Sequence, residues 1–149
     1  MSDASDASKD AAREARAAAA HAQREALERA EAQESDRART LVAAFVEQAR
    51  AAGIEPVELR AKSYSGSGSY RTGLRGWYLQ PKGSLAISED GGFYVLTASG
   101  GVVSRLRGVT LEPRDPQLTV GRGARDGESM SLAELLERRL AAGSQFRRL

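Results

Sequence analysis

Hydrophobic residues enter this chain in two rhythms, after a long stretch that has neither. From Lys9 to Glu34 the chain is mostly Ala, Glu, Arg and Gln, without Gly or Pro, and Leu27 is its only large apolar residue. Propensity alone predicts a helix there. With no greasy face to bury, that helix is expected to stand in solvent as an arm. Ala11, Ala15, Ala18 and Ala22 fall at alternating four- and three-residue steps, a spacing that suits a close-packed coiled coil. Alanines this dense match many periods, however, and a solvated arm is the simpler reading. Residues 1–8 are small, polar and acidic, a composition expected to be disordered.

The first rhythm is helical. Ser35 and Asp36 offer an N-cap, and Ala38, Leu41, Val42, Phe45, Ala49 and Ala52 then recur on one face. Gly53 supplies a stop, and Pro56 forbids continuation. The pattern leaves open whether this helix continues the arm or begins anew.

The second rhythm has a period of two. Val57, Leu59 and Ala61 alternate with Glu58, Arg60 and Lys62, which predicts a half-buried strand. Ser65 to Ser69 reads as a flexible loop, Leu74 to Gln80 as a second strand and Ser84 to Ser88 as a third. Glu89-Asp90-Gly91-Gly92 is a hairpin turn whose paired glycines supply positive φ, and Phe93 to Ala98 is its partner strand. Val102 to Arg107 follows as a strand, with short edge pieces at Val109 to Leu111 and Leu118 to Val120. Pro113 and Pro116 between these pieces exclude a central strand. A capping box, Ser131 with Glu134, then opens a helix whose apolar face is Leu132, Leu135, Leu136 and Leu140, with Met130 stapled to Leu135 and Gly143 as the stop. The predicted architecture is α+β: an antiparallel sheet of five or six short strands packed with an amphipathic N-terminal helix and a capped C-terminal helix. The domain spans residues 35–143, follows the solvent-exposed helical arm of residues 1–34, and ends in a flexible tail of residues 144–149.

Composition narrows the chemistry. There is no cysteine and one histidine, His21, which lies in the arm. Disulfides, thiolate metal sites and thiol nucleophiles are excluded, and a histidine-dependent active site is disfavoured. No catalytic motif is present, so the chain is read as non-enzymatic, with no cofactor and no metal. Net charge is +2, divided as eight basic against ten acidic residues up to position 52 and fourteen against ten beyond it. That excess tolerates an anionic partner without demanding one. The start of the chain lacks a signal-peptide pattern, and the longest apolar run, Leu41 to Val46, is far too short to span a membrane. The expectation is a cytoplasmic protein without a membrane partner.

Two segments carry candidate chemistry. Tyr70-Arg71-Thr72-Gly73-Leu74-Arg75-Gly76-Trp77-Tyr78 interleaves aromatic rings with arginines, as surfaces that stack bases and hold phosphates do. Tyr70, Arg71, Arg75 and Tyr78 are the candidate interaction surface. The ribonucleoprotein motif is absent, and large aromatics in a small domain are mostly packing residues, so nucleic acid is possible but not favoured. Gly121-Arg122-Gly123-Ala124-Arg125-Asp126-Gly127 precedes the capped helix by a few residues and is a candidate loop for a small anion or nucleotide, through Gly121, Arg122, Gly123 and Arg125. It lacks both the third glycine of a dinucleotide site and the lysine of a P-loop, so a plain strand-to-helix connection is the simpler reading. The carboxylate pairs Glu89-Asp90 and Asp126 with Glu128 lie in turns that account for them.

Tyr70-Arg-Thr-Gly-Leu-Arg-Gly-Trp-Tyr-Leu79, then Phe93-Tyr-Val-Leu-Thr97, then Gly127-Glu-Ser129 ahead of a leucine-rich helix, resembles uncharacterised small proteins of actinobacteria. Arginine outnumbers lysine 19 to 3, which suits a GC-rich genome. The resemblance implies no activity and no site. The sequence therefore reads as an interaction or regulatory module, its partner either an unknown protein or a second copy through residues 9–34.

Overall fold

The computed structural model describes residues 2–64, 68–99, 106–121 and 129–148. The chain divides into two compact units, residues 1–36 and 37–149.

Helix α1, Ser2–Ala51, contributes to both units. In the first unit every described side chain is exposed except Ala20, Glu34 and Ser35, which are half-buried. Residues 2–8, expected to be disordered, are helical: no Gly or Pro interrupts them, and Asp3 sits in the first turn where the helix dipole favours a carboxylate. Ser35 and Asp36 lie inside the helix instead of capping a new one. Both are tolerated there at a cost of only about 0.5 kcal/mol each relative to alanine, too little to break a helix favoured on both sides.

The second unit is an α+β domain. Its main sheet has five strands: β1 (Val57–Ser63), β2 (Ser69–Tyr78), β3 (Leu85–Ser88), β4 (Phe93–Val95) and β5 (Thr97–Ala98). They lie in the order β4-β3-β2-β1-β5. All neighbours are antiparallel except β5, which runs parallel to β1 through Lys62 opposite Thr97. The single strand expected from Phe93 to Ala98 is thus two, broken at Leu96, whose carbonyl accepts from Lys62 N–H and whose N–H donates to the Ser84 carbonyl. A second, two-stranded sheet pairs β6 (Thr119–Val120) with β7 (Met130–Ser131). The expected piece at Val109 to Leu111 forms no strand. The strand expected at Val102 to Arg107 and the loop at Ser65 lie largely outside the described residues.

Register sorts the aromatic residues into two layers. Trp77, Ile87 and Phe93 sit opposite one another across β2, β3 and β4, and so do Tyr78, Ala86 and Tyr94. Alternation sends these two rows to opposite faces of the sheet. The first row belongs to the main core, with Ala38, Val42, Phe45 and Ala49 of α1 and Leu132, Leu135 and Leu136 of α2 (Leu132–Ala142). Phe45 meets Trp77 edge to face at 5.9 Å between ring centres, and the indole N–H donates to the Ile54 carbonyl at 2.9 Å. The second row joins Leu59 and Leu96 in a smaller core, against which Leu74, Leu111 and Phe146 pack. At the head of α2, Ser131 accepts from Glu134 N–H at 3.1 Å, while the Glu134 carboxylate bonds Arg138 at 2.8 Å, so half of the expected capping box is made.

The tail was expected to be loose. It begins in a short 3-10 helix, Gly143–Gln145, and places Phe146 against the second core. One aromatic ring is reason enough, because Phe146 removes apolar surface from water there.

Candidate functional site

The strongest polar constellation is built around the end of β2. The ladder between β1 and β2 is interrupted where Glu58 faces Arg75 but Arg60 faces Arg71, so Leu59 opposes three residues, Thr72, Gly73 and Leu74. Gly73, at φ 73°, takes the left-handed turn this bulge requires. Side chains then supply hydrogen bonds within the irregular stretch. Thr72 Oγ1 donates to the Leu59 carbonyl at 2.7 Å, and Arg60 N–H donates to the Tyr78 hydroxyl at 2.8 Å. The hydroxyl also accepts from Arg148 Nη1 at 2.5 Å and approaches the Glu58 carbonyl at 3.5 Å. The Arg148 guanidinium lies over the Tyr78 ring, 4.7 Å from its centre.

Arg139 reaches the same strand end from α2. It follows Leu132 by seven residues, which returns it to the helix's apolar face, and it is only 7% exposed. Its Nε donates to the Tyr78 carbonyl at 2.7 Å and Nη1 to the Gly143 carbonyl at 3.0 Å, while Phe146 covers the guanidinium with its ring centre 4.0 Å away. Both acceptors are neutral. Among the described residues no carboxylate pairs with Arg139 and Nη2 has no hydrogen-bond partner, and Nη2 is not sealed from solvent. Burial pushes the Arg139 pKa below the ordinary guanidinium value by desolvation. That ordinary value is so high that the side chain keeps its charge at neutral pH.

Beside Arg139 an open groove of about 1050 Å³ runs between the β2–β3 turn, the β6–β7 hairpin and α2. Leu79, Leu85, Val120 and Met130 give it apolar walls, and its charged residues among those described are Lys82, Arg138 and Arg139.

The sequence-derived candidates are scattered by this fold. Tyr70 and Tyr78 are 3% and 6% exposed, so neither presents a ring for stacking. Their strand carries side chains to two covered faces, which is why both tyrosines are packing residues. Arg71 and Arg75 are exposed, and each donates to a backbone carbonyl, of Leu106 at 2.9 Å and of Pro56 at 3.0 Å. In the candidate anion loop Gly121 is exposed, with φ 85°; Arg122, Gly123 and Arg125 lie outside the described residues. His21 pairs with Glu25 on the arm at 2.9 Å. Among the described residues no group of three or more His, Cys, Asp and Glu could hold a metal ion, and no helix is long and apolar enough to cross a membrane. Sequence reading missed Arg139, Phe146 and Arg148. The seven-residue step from Leu132 was the signal for the first, and a lone aromatic in a polar tail for the second.

Comparison of the chain with protein-family models, with curated proteins and with solved structures gives no match.

Proposed function

We propose that this protein is a non-catalytic, cytoplasmic interaction module, and that its arm pairs with the arm of a second copy. One observation carries the reading: from Asp3 to Gln33 the arm stays helical while every side chain but Ala20 is exposed. Isolated helices draw little stability from propensity alone, and most helices in proteins are held by a packed face. On the arm Glu25 meets His21 and Arg29 through exposed i,i+4 contacts, of the kind that adds only about 0.3–0.5 kcal/mol each.

A packing face is nonetheless available. At 3.6 residues per turn, Ala4, Ala11, Ala15, Ala18, Ala22 and Ala26 fall within a sector of about 80°, and Ser8 is the only other residue between them in that sector. Small side chains allow two helix backbones to approach closely, so such a strip pairs best with another of its own kind.

Sedimentation equilibrium tests the proposal. The full chain should show a concentration-dependent rise toward twice its monomer mass, and a chain lacking residues 2–34 should stay monomeric with its domain folded. The paired substitution Ala15→Glu with Ala22→Glu, which keeps helix propensity, should also give a monomer. A full chain that is monomeric at every concentration would overturn the reading.

A further inference from the structure

We infer that the groove between the β2–β3 turn, the β6–β7 hairpin and α2 binds a small amphipathic carboxylate, its acid group held by Arg139 and Lys82 and its apolar body by Leu79, Leu85, Val120 and Met130. The groove has the scale of a small-molecule site and the usual make-up of one, apolar walls with a few placed polar groups.

Among the described residues its charge is one-sided. Three cations line it, and no Asp or Glu does so among the described residues. Arg138 is already paired with Glu134 at 2.8 Å. Among the described residues the other two have no carboxylate partner. Lys82 is exposed at the rim, and its ammonium has no partner among the described residues. Arg139 is more than nine-tenths buried and holds a full positive charge against two neutral carbonyls. A buried cation without a counter-charge is costly unless something supplies one. A carboxylate oxygen at Nη2, the guanidinium nitrogen without an acceptor among the described residues, would supply it as a charge-assisted hydrogen bond. Arg139 is also pre-organised: its two bonds and the Phe146 ring hold the guanidinium in place, so little rotamer freedom remains to be lost on binding.

The walls select the rest of the ligand. Four aliphatic or thioether side chains, with the neutral polar Gln80, Ser84 and Ser129 beside them, suit an apolar body that carries one carboxylate. The site lies wholly within the α+β domain and does not depend on arm pairing.

Decanoate is a suitable probe, with decanol as its neutral counterpart, titrated onto the full chain and followed through the Met130 methyl resonance. Decanoate should bind saturably and shift that resonance, and decanol should bind at least about tenfold more weakly because it lacks the charge. Lys82→Ala should weaken decanoate about tenfold, and Arg139→Met, which keeps the side-chain volume, should abolish it. If Arg139→Met unfolds the domain, Lys82→Ala and the decanol comparison still decide. Equal binding of decanol, or equal binding by the Lys82→Ala chain, would overturn the assignment. So would loss of binding on Arg122→Ala with Lys82→Ala unaffected, because the ligand would then sit on the glycine-rich segment. Binding of an acidic peptide in place of decanoate would overturn it as well.

Discussion

Arg139 Nε donates to the carbonyl oxygen of Tyr78 at 2.7 Å, joining α2 to the end of β2 across 61 residues of sequence. The bond fixes how the C-terminal helix sits on the sheet, and it does so with a buried charge where a leucine would have served packing alone. Arg139→Ala removes two charge-assisted bonds and leaves a void beneath Phe146, so urea unfolding should show a loss of about 2–4 kcal/mol. Arg139→Met fills most of the void and removes the desolvated charge, and should cost less, about 1 kcal/mol. Equal losses for the two would mean that charge, not packing, dominates.

The Tyr78 hydroxyl serves the bulge rather than a ligand. Tyr78→Phe deprives Arg60 N–H of its acceptor and should cost about 1–2 kcal/mol. Thr72→Val, which deprives the Leu59 carbonyl of its donor, should cost about 1 kcal/mol. The bulge is one cooperative feature, so the double variant should fall short of the sum. Strict additivity in denaturant unfolding would show the two bonds to be independent.

Two glycines of β2 are constrained in different ways, and substitution separates them. At Gly73 a Cβ would meet nothing within 4 Å, and only φ 73° opposes a side chain. Gly73→Ala should therefore cost about 1–2 kcal/mol. At Gly76 a Cβ would lie 2.0 Å from the Ile87 carbonyl oxygen, a backbone atom that cannot swing aside. Gly76→Ala must push β2 and β3 apart, and a loss of more than about 3 kcal/mol is expected, enough to abolish folding in a domain of ordinary stability. Circular dichroism of the two variants distinguishes the cases directly.

The tail should count toward stability. Phe146 packs on the second core and on Arg139, so Phe146→Ala should lower stability by about 1–2 kcal/mol. Truncation after Gly143 should lose that and the Arg148–Tyr78 contact together, lowering the melting temperature further. No change on truncation would contradict the docked tail.

The fold was legible wherever hydrophobic period and turn chemistry agreed. Phe45 and Val42 on the helical stripe, Ile87 and Phe93 flanking a Gly-Gly turn, and Ser131 ahead of a leucine face all sit as their spacing demanded. The parallel pairing of β5 was not legible, because period two is the same in parallel and antiparallel strands. Nor was the burial of Tyr70 and Tyr78, since alternation cannot tell a bare sheet face from one covered by a distant segment such as Phe146. Arg139 was hidden by its own chemistry: an arginine at a leucine's position reads as surface until the carbonyls that hold it are known. Of the candidate loop at Gly121 to Gly127 only Gly121 is described, at the edge of the groove.

The pairing of the arms has one direct test, helped by the absence of cysteine from the chain. Gln23→Cys places a single spin label beside the alanine strip but outside it, and electron–electron dipolar spectroscopy then reads the distance between labels on different copies. Paired arms give one narrow distribution at the separation of two packed helices, which the Ala15→Glu with Ala22→Glu chain loses. A dipolar signal indistinguishable from unpaired chains in solution would contradict it.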